Sequence, residues 1–146
     1  MQHTRSASAA LILVALSACS QPSARGEKEA HRDSEVVAHE TRRLWESLSQ
    51  HTFAEKAAFI EKAEAALDRI ERGVAEFRSA ASDTFATDPG WAQVSEDLRV
   101  RGEAVRGSLA DVRASTPETW EDVKSRFFVS IAELRKTVEG ALAKLD

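Results

Sequence analysis

Several residue types are scarce in this sequence, and their scarcity narrows the class of protein. The chain has one cysteine, one methionine, three prolines and six glycines, and it has no tyrosine. A single cysteine excludes an internal disulfide. The shortage of proline and glycine, together with the absence of tyrosine, suits helices better than sheet. The composition therefore predicts an all-α protein.

The sequence also lacks a strong excess of charge of either sign. The 20 Lys and Arg and the 24 Asp and Glu residues are interspersed along the chain, and the net charge is only -4. A nucleic-acid-binding protein would need a basic face or patch, which this pattern does not provide. We therefore predict no nucleic-acid partner.

Long apolar runs are also lacking, apart from residues 9–16 near the start of the chain. This run is too short to span a bilayer, which takes about 20 apolar residues. It follows Arg5 and leads to the small residues Ser17 and Ala18, and this order of basic start, apolar core and small residues is typical of a secretion signal. The alternative is an amino-terminal core strand or helix that happens to end in a cysteine. The agreement of all three parts favours the signal peptide.

The residues that end this signal are Leu16-Ser17-Ala18-Cys19, and they resemble the lipobox of bacterial lipoproteins. In that family the cysteine thiol is alkylated with diacylglycerol, the preceding peptide is removed, and the new amino terminus is usually acylated as well. The resemblance implies that Cys19 is the lipidation site, that it is the first residue of the mature protein, and that acyl chains anchor the protein in the cell envelope. It also implies the outer membrane, facing the periplasm, if the source is Gram-negative. Ser20 stands where an aspartate would favour retention at the inner membrane.

Residues 20–33 show no apolar periodicity and include Pro22 and Gly26. We interpret residues 19–33 as the lipidated cysteine and a tether, which would have a mean reach of about 20 Å if flexible. A helix over the second half of this segment is an open alternative, because residues 27–32 are good helix formers. The predicted organisation is therefore a signal peptide over residues 1–18, the tether, and one domain over residues 34–146.

Helix starts are signalled at three points in this domain. Thr52 and Glu55 match a capping box, Asp88-Pro89 places proline at the first helical position, and Thr116-Pro117 repeats that signal. Apolar residues recur at intervals of three and four after each start, as on the buried face of a helix. The main positions are Phe59, Ala63, Ala66, Ile70, Val74 and Phe77, then Trp91, Val94, Leu98, Val105, Leu109 and Val112, and last Trp120, Phe127, Ile131, Leu134, Val138, Ala141 and Leu145.

The spacing of these helices predicts their arrangement. The turn before Pro117 is short, so the last two helices should pack as an antiparallel hairpin, with the helix from Thr52 covering its open side. Arg101-Gly102 interrupts the apolar stripe of the middle helix, which indicates either a weak point or a close approach of another helix. Residues 34–50 form a shorter amphipathic stretch. The sequence predicts an antiparallel three-helix bundle with a shorter amino-terminal fourth helix, either separate from the next helix or joined to it through a kink.

Residues 52–145 resemble a group of bacterial helical proteins described as coiled-coil, stress-associated or lipoprotein-like. The likeness lies in Phe-x-Glu-Lys at residues 53–56, Leu-Asp-x-Ile at residues 67–70, and Trp-Glu-Asp-Val-Lys at residues 120–124. The resemblance implies a helical bundle, and the group has no catalytic residues to transfer to this chain.

Two polar patterns could carry a binding site. His31, Glu35 and His39 are four residues apart, so on a helix they would share one face and could offer ligands to a metal. A solvated polar face explains them better, because zinc sites usually need further strong ligands, and we predict no metal site. Arg99, Arg106 and Arg113 repeat every seven residues and could contact an acidic partner or lipid phosphates. Glu96 and Glu103 lie at pairing distance on the same helix, so we predict a self-paired surface.

The remaining features argue against an enzyme. Trp45, Trp91 and Trp120 could stack on a ligand, but core packing is the commoner use of tryptophan near helix starts. The sequence has no Gly-x-Ser-x-Gly motif, no free cysteine after lipidation, and no histidine in the three helices after Thr52. We predict no catalytic residue and no cofactor.

Two hypotheses on function follow. The first is an envelope-anchored lipoprotein that acts as a non-enzymatic structural or interaction module, in assembly or stress protection, with a protein partner in the envelope. The alternative is an amphipathic protein of apolipoprotein-like type that binds lipid or an apolar ligand. That alternative would need basic residues at the rims of apolar helix faces, whereas the charges in this sequence are mixed.

Overall fold

A computed structural model of the chain describes residues 24–84 and 86–144. Within these ranges the fold is all-α and contains no β-strand, as the composition predicted. The helices are α1 (Ala24–Leu48), α2 (Lys56–Thr84), α3 (Pro89–Arg113) and α4 (Trp120–Ala143), and one turn of 3-10 helix (Phe53–Glu55) precedes α2. The predicted all-α bundle with four helices is confirmed.

Helix α1 is longer than the predicted helix and starts earlier in the chain. It begins at Ala24 and has 25 residues, so residues 24–33 are helical rather than tether, and the first helix is as long as α3. The reason lies in Ala30, which is fully buried and extends the buried stripe of Val37 and Leu44 by one more heptad. A small residue leaves a weak apolar signal in the sequence. The helical alternative for the second half of residues 20–33 is the one that holds, and α1 ends at Leu48 as a helix separate from α2.

The capping box at Thr52 begins the 3-10 turn that leads into α2, Asp88-Pro89 begins α3, and the third signal lies three residues before α4. The Glu55 carboxylate accepts a hydrogen bond from the Thr52 backbone amide at 3.1 Å, which completes the predicted capping box. Asp88 accepts from the Gly90 amide at 2.8 Å ahead of α3. At the third signal, Thr116 donates its amide to the Thr119 hydroxyl at 2.9 Å, and the intervening residues form a turn. Helix α4 therefore starts at Trp120 and not at the predicted proline.

The four helices run up and down in succession. Helix α1 packs chiefly on α2 and α3 chiefly on α4, and the smaller α1–α4 and α2–α3 contacts close the bundle. Each helix thus has two neighbours, as in an antiparallel four-helix bundle. The loop after α1 and the loop after α3 lie together at one end, which we call the distal end. The last turns of α2 lie at the other end, beside the start of α1.

The predicted apolar stripes form one core. The three α-helices after Thr52 bury the predicted residues that the structure describes, except that Trp91 is only partly buried. Leu145 of the predicted stripe lies outside the described residues. Near the distal end the core is aromatic. The centre of the Phe59 ring lies 5.3 Å from the centre of the Trp120 ring and 5.7 Å from that of the Phe127 ring, in edge-to-face geometry. Such pairs contribute beyond the area they bury. In the part of the chain that the structure describes, no helix is both long and apolar enough to cross a membrane.

Two glycines on neighbouring helices have opposite surroundings. A Cβ atom added at Gly73 in α2 would lie 3.0 Å from Cγ2 of Val37, so α1 and α2 approach closely there. A Cβ added at Gly102 in α3 would meet nothing within 4 Å. Of the two interpretations of the Arg101-Gly102 gap, the weak point in the stripe is therefore the correct one.

Candidate functional site

Helix α4 holds the loop that follows α1. The indole nitrogen of Trp120 donates a hydrogen bond to the His51 carbonyl oxygen at 3.1 Å. The buried Lys124, one turn later, donates to the carbonyl oxygens of Ser49 and His51, each at 3.0 Å. These carbonyls follow the end of α1, where backbone acceptors lack helical partners. Trp120 and Lys124 thus have a structural use at the distal end.

The first residues before and in α2 hold the other distal loop in the same manner. Lys56 donates to the Ser115 carbonyl oxygen at 2.8 Å, just beyond the end of α3. The Phe53 ring packs 6.1 Å from the Trp120 ring, and the Lys56 ammonium lies 5.2 Å from the centre of the Phe53 ring. We call these contacts, together with those of Trp120 and Lys124, the loop clamp. Packing and capping therefore explain two of the three motifs that resemble bacterial helical proteins, those at residues 53–56 and 120–124.

The first arginine of the heptad series is paired along its own helix, as predicted. Arg99 donates through Nε to Glu96 at 2.9 Å and also pairs with Glu103. Its hydrogen bond to Glu96, with the nearby Glu103 carboxylate, raises the pKa of Arg99. This guanidinium is not available to a partner without the loss of its own contacts.

The other two arginines pair across helices, which the sequence analysis did not predict. Arg106 donates to Glu71 at 2.7 Å and to Asp68 at 3.2 Å, and Arg113 pairs with Glu64. All three carboxylates belong to α2, so Arg106 and Arg113 form one side of an α2–α3 ion-pair ladder. The prediction of pairing with Glu103 is wrong for Arg106, and the strip is not a free basic surface.

The metal hypothesis gains no support from α1. His31, Glu35 and His39 are all exposed on this helix. Within residues 24–84 and 86–144, no group of three or more His, Cys, Asp or Glu side chains has the geometry to hold a metal ion.

Two carboxylates are buried between α1 and α2. Asp33 is only 3% exposed, and burial raises its pKa, while Arg32 at 3.4 Å acts in the opposite direction. Glu40 accepts from Arg69 of α2 at 2.8 Å. The second contact fixes the pairing of α1 with α2.

The tryptophans divide into two groups. Trp120 is buried and Trp91 is partly buried against the core, as the packing interpretation predicted. Trp45 is 54% exposed, so core packing does not account for it. Its ring meets the Phe128 ring of α4 edge-on at 4.7 Å. This pair opens onto the surface between α1 and α4.

A groove of about 220 Å³ lies at this position, and we call it the Trp45 groove. Its base and walls are aromatic and aliphatic, and an arginine stands on each helix. It is lined by Thr41, Arg42, Trp45, Phe128, Ile131, Ala132 and Arg135.

The two arginines at the Trp45 groove differ in their partners. Arg42 is exposed and has neither a hydrogen bond nor an ion pair among the described residues. The Nε of Arg135 is buried without a hydrogen-bond partner in the described chain, although it lies 3.4 Å from a Glu139 carboxylate oxygen. Buried donors are normally satisfied. The groove therefore combines apolar surface with two arginine side chains, of which Arg42 has no acceptor among the described residues.

A second and larger cleft, of about 340 Å³, opens between α2 and α3 at Gly102. Val74, Leu98 and Leu134 provide apolar surface in it. The charged residues at its rim include Arg99 and Arg106, which already pair within the bundle. This cleft exists because Gly102 has no side chain. Unlike the Trp45 groove with Arg42, it offers no arginine that lacks a partner among the described residues.

The predicted lipidation site lies outside the described residues, as do Leu16, Ser17 and Ala18. No protein-family model, curated protein or solved structure matches the chain. Among the described residues the Trp45 groove is the candidate functional site. Sequence reasoning singled out Trp45 but missed Phe128 and the two arginines, because only the packing of α1 on α4 brings them together.

Proposed function

We propose that this protein is an envelope-anchored lipoprotein whose helical bundle acts as a non-enzymatic structural or interaction module. The lipobox resemblance at residues 16–19 supports the anchor. Helix α1 begins at Ala24, so only residues 20–23 separate it from Cys19. Acyl chains on Cys19 would hold the start of α1 close to the membrane. The distal end would then extend up to about 37 Å away, the length of a 25-residue helix.

The observation that carries the proposal is the loop clamp. Three side chains, those of Lys56, Trp120 and Lys124, secure backbone carbonyls of the two distal loops. Ion pairs such as Arg106 with Glu71 connect α2 to α3 along the bundle. Side chains that could serve chemistry are thus engaged in holding helices together. This use of polar groups is typical of a rigid body that presents surfaces rather than of a catalyst.

The apolipoprotein-like alternative is favoured by one observation, the exposed Trp45 beside Arg42 and Arg135. An aromatic ring flanked by cations suits the membrane interface. Opening of the bundle onto lipid would, however, break the loop clamp and the α2–α3 ion pairs. We therefore rank this function second.

Vesicle binding separates the two functions. Residues 24–146, expressed without the anchor, are mixed with vesicles of neutral lipid and with vesicles that contain anionic lipid, and sedimentation and circular dichroism are measured. The interaction module predicts that the protein stays in the supernatant with unchanged helicity. Sedimentation with the vesicles, together with a changed helical signal or a loss of tertiary contacts, would support the lipid-binding alternative instead.

A further inference from the structure

The Trp45 groove has the composition of a protein-binding hot spot. Tryptophan and arginine are the residues most enriched where single side chains dominate binding energy. Trp45 is 54% exposed, and the groove beneath it is apolar. The indole makes an edge contact with Phe128, and the rest of its apolar surface is left in water. The arrangement calls for an occupant that covers it.

The size and shape of the groove select the kind of occupant. Its volume of about 220 Å³ is below the range of about 300–1,000 Å³ for pockets that take drug-sized ligands, so it suits one or two side chains. Its walls are two antiparallel helices, and grooves of this form receive the apolar face of a third helix. An amphipathic helix would insert one apolar side chain between Trp45 and Ile131.

The polar groups select the charge of the occupant. Arg42 on α1 has no partner among the described residues, and Arg135 on α4 has a single ion pair there, between its Nε and Glu139 at 3.4 Å. Both groups are donors only, so their complement is a carboxylate. The arginines stand on opposite walls. Carboxylates on either side of the inserted apolar residue would therefore match them.

The same surface disfavours an anionic membrane as the occupant. Glu139 lies beside Arg135, and the exposed Glu46 follows Trp45 directly. A plane of negative head groups would meet these carboxylates together with the arginines. A helix, unlike a membrane, can carry carboxylates only at the positions that face the arginines.

From these observations we propose that the Trp45 groove binds an acidic amphipathic helix of another envelope protein. An apolar side chain of that helix occupies the groove, and its flanking Asp or Glu residues pair with Arg42 and Arg135. This inference rests on the proposed interaction function and names the surface through which it operates.

The test is site-specific photo-crosslinking of the full chain in its native envelope. The crosslinking residue replaces the exposed Ser125, three residues before Phe128, and in a control it replaces the exposed Ala104 on α3. We expect a protein product from position 125 whose crosslinked peptide carries an apolar residue flanked by Asp or Glu. Arg42→Glu should lower the yield of that product about tenfold or more, because it places a carboxylate against the carboxylates of the partner.

Arg72→Glu is the matched control. Arg72 is also an exposed helical arginine without an ion pair among the described residues, so the same charge change on α2 should leave the yield within about twofold. Thermal unfolding of both variants shows that any loss of product is not a loss of fold. Trp45→Phe, which keeps an aromatic ring, should reduce the yield less than Trp45→Ala.

The outcomes separate this inference from the function on which it rests. Equal yields in Arg42→Glu and Arg72→Glu would overturn the acidic-helix proposal, as would crosslinks at position 125 to lipid only or to a second copy of the chain. A protein product at position 104 without one at position 125 would overturn the Trp45 groove as the binding surface but would still support the interaction function. No protein product at either position would overturn both.

Discussion

Alanine substitutions at Gly73 and Gly102 should have opposite effects on stability. Both glycines lie inside helices, where alanine is favoured over glycine by about 0.5–1 kcal/mol. At Gly102 a new Cβ has nothing within 4 Å, so Gly102→Ala should raise the free energy of unfolding by about that amount. At Gly73 the new Cβ would lie 3.0 Å from Cγ2 of Val37, which is fully buried.

The cost at Gly73 follows from the stiffness of its neighbour. Val37 is β-branched and has few alternative rotamers in a helix, so it cannot turn away at low cost. Crowding of a packed interface typically costs about 1–3 kcal/mol, which exceeds the helical gain from alanine. Gly73→Ala should therefore lower the free energy of unfolding, by up to about 2 kcal/mol.

Urea denaturation followed by circular dichroism measures both values on residues 24–146. A double-mutant cycle supplies the control, since Val37→Ala removes the crowded methyl group and should make Gly73→Ala less costly. If Gly73→Ala stabilised the protein as much as Gly102→Ala, the close approach of Gly73 to Val37 described above would be incorrect.

The remaining predictions concern the core, the loop clamp and a buried acid. Leu134→Ala should cost about 2–5 kcal/mol of unfolding free energy in urea, because Leu134 is buried in the core, and a change below about 0.5 kcal/mol would place it on the surface. Lys124→Met should cost about 1–3 kcal/mol through the unpaired Ser49 carbonyl, whereas Lys136→Met, at an exposed position, should stay within about 0.5 kcal/mol. Burial raises the pKa of Asp33, so the folded state binds the proton more tightly than the unfolded state, and stability should fall as pH rises from the unfolded pKa through the folded one. Asp33→Asn should remove this loss, and urea titrations at about pH 3 and pH 7 would show a gain at the higher pH only. An equal gain at both values would contradict the titration argument.

The sequence was sufficient for the parts of the fold that depend on local chemistry. The capping box at Thr52 and the Asp88-Pro89 pair act within a few residues, and the structure has both. The stripe from Phe127 to Val138 repeats within one helix, and it is buried as predicted. Each of these signals is complete in a short stretch of sequence.

The features that were missed depend on contacts between helices. Ala30 is buried in the core of the assembled bundle, and alanine alone does not show which face of a helix is covered. Arg106 and Arg113 lie near carboxylates on their own helix, but antiparallel packing brings better partners from α2. The Trp45 groove could not be predicted for the same reason: its lining residues come from two helices that are far apart in the sequence, α1 and α4.

The most direct measurement of the central claim is the mass and the detergent partitioning of the protein isolated from its native envelope, compared with those of Cys19→Ser. The account predicts a mature chain that begins at Cys19, carries acyl mass and enters the detergent phase, while Cys19→Ser stays unprocessed or is released in soluble form. Normal processing and membrane retention of Cys19→Ser would contradict the lipoprotein anchor and, with it, the proposed place of the bundle at the membrane.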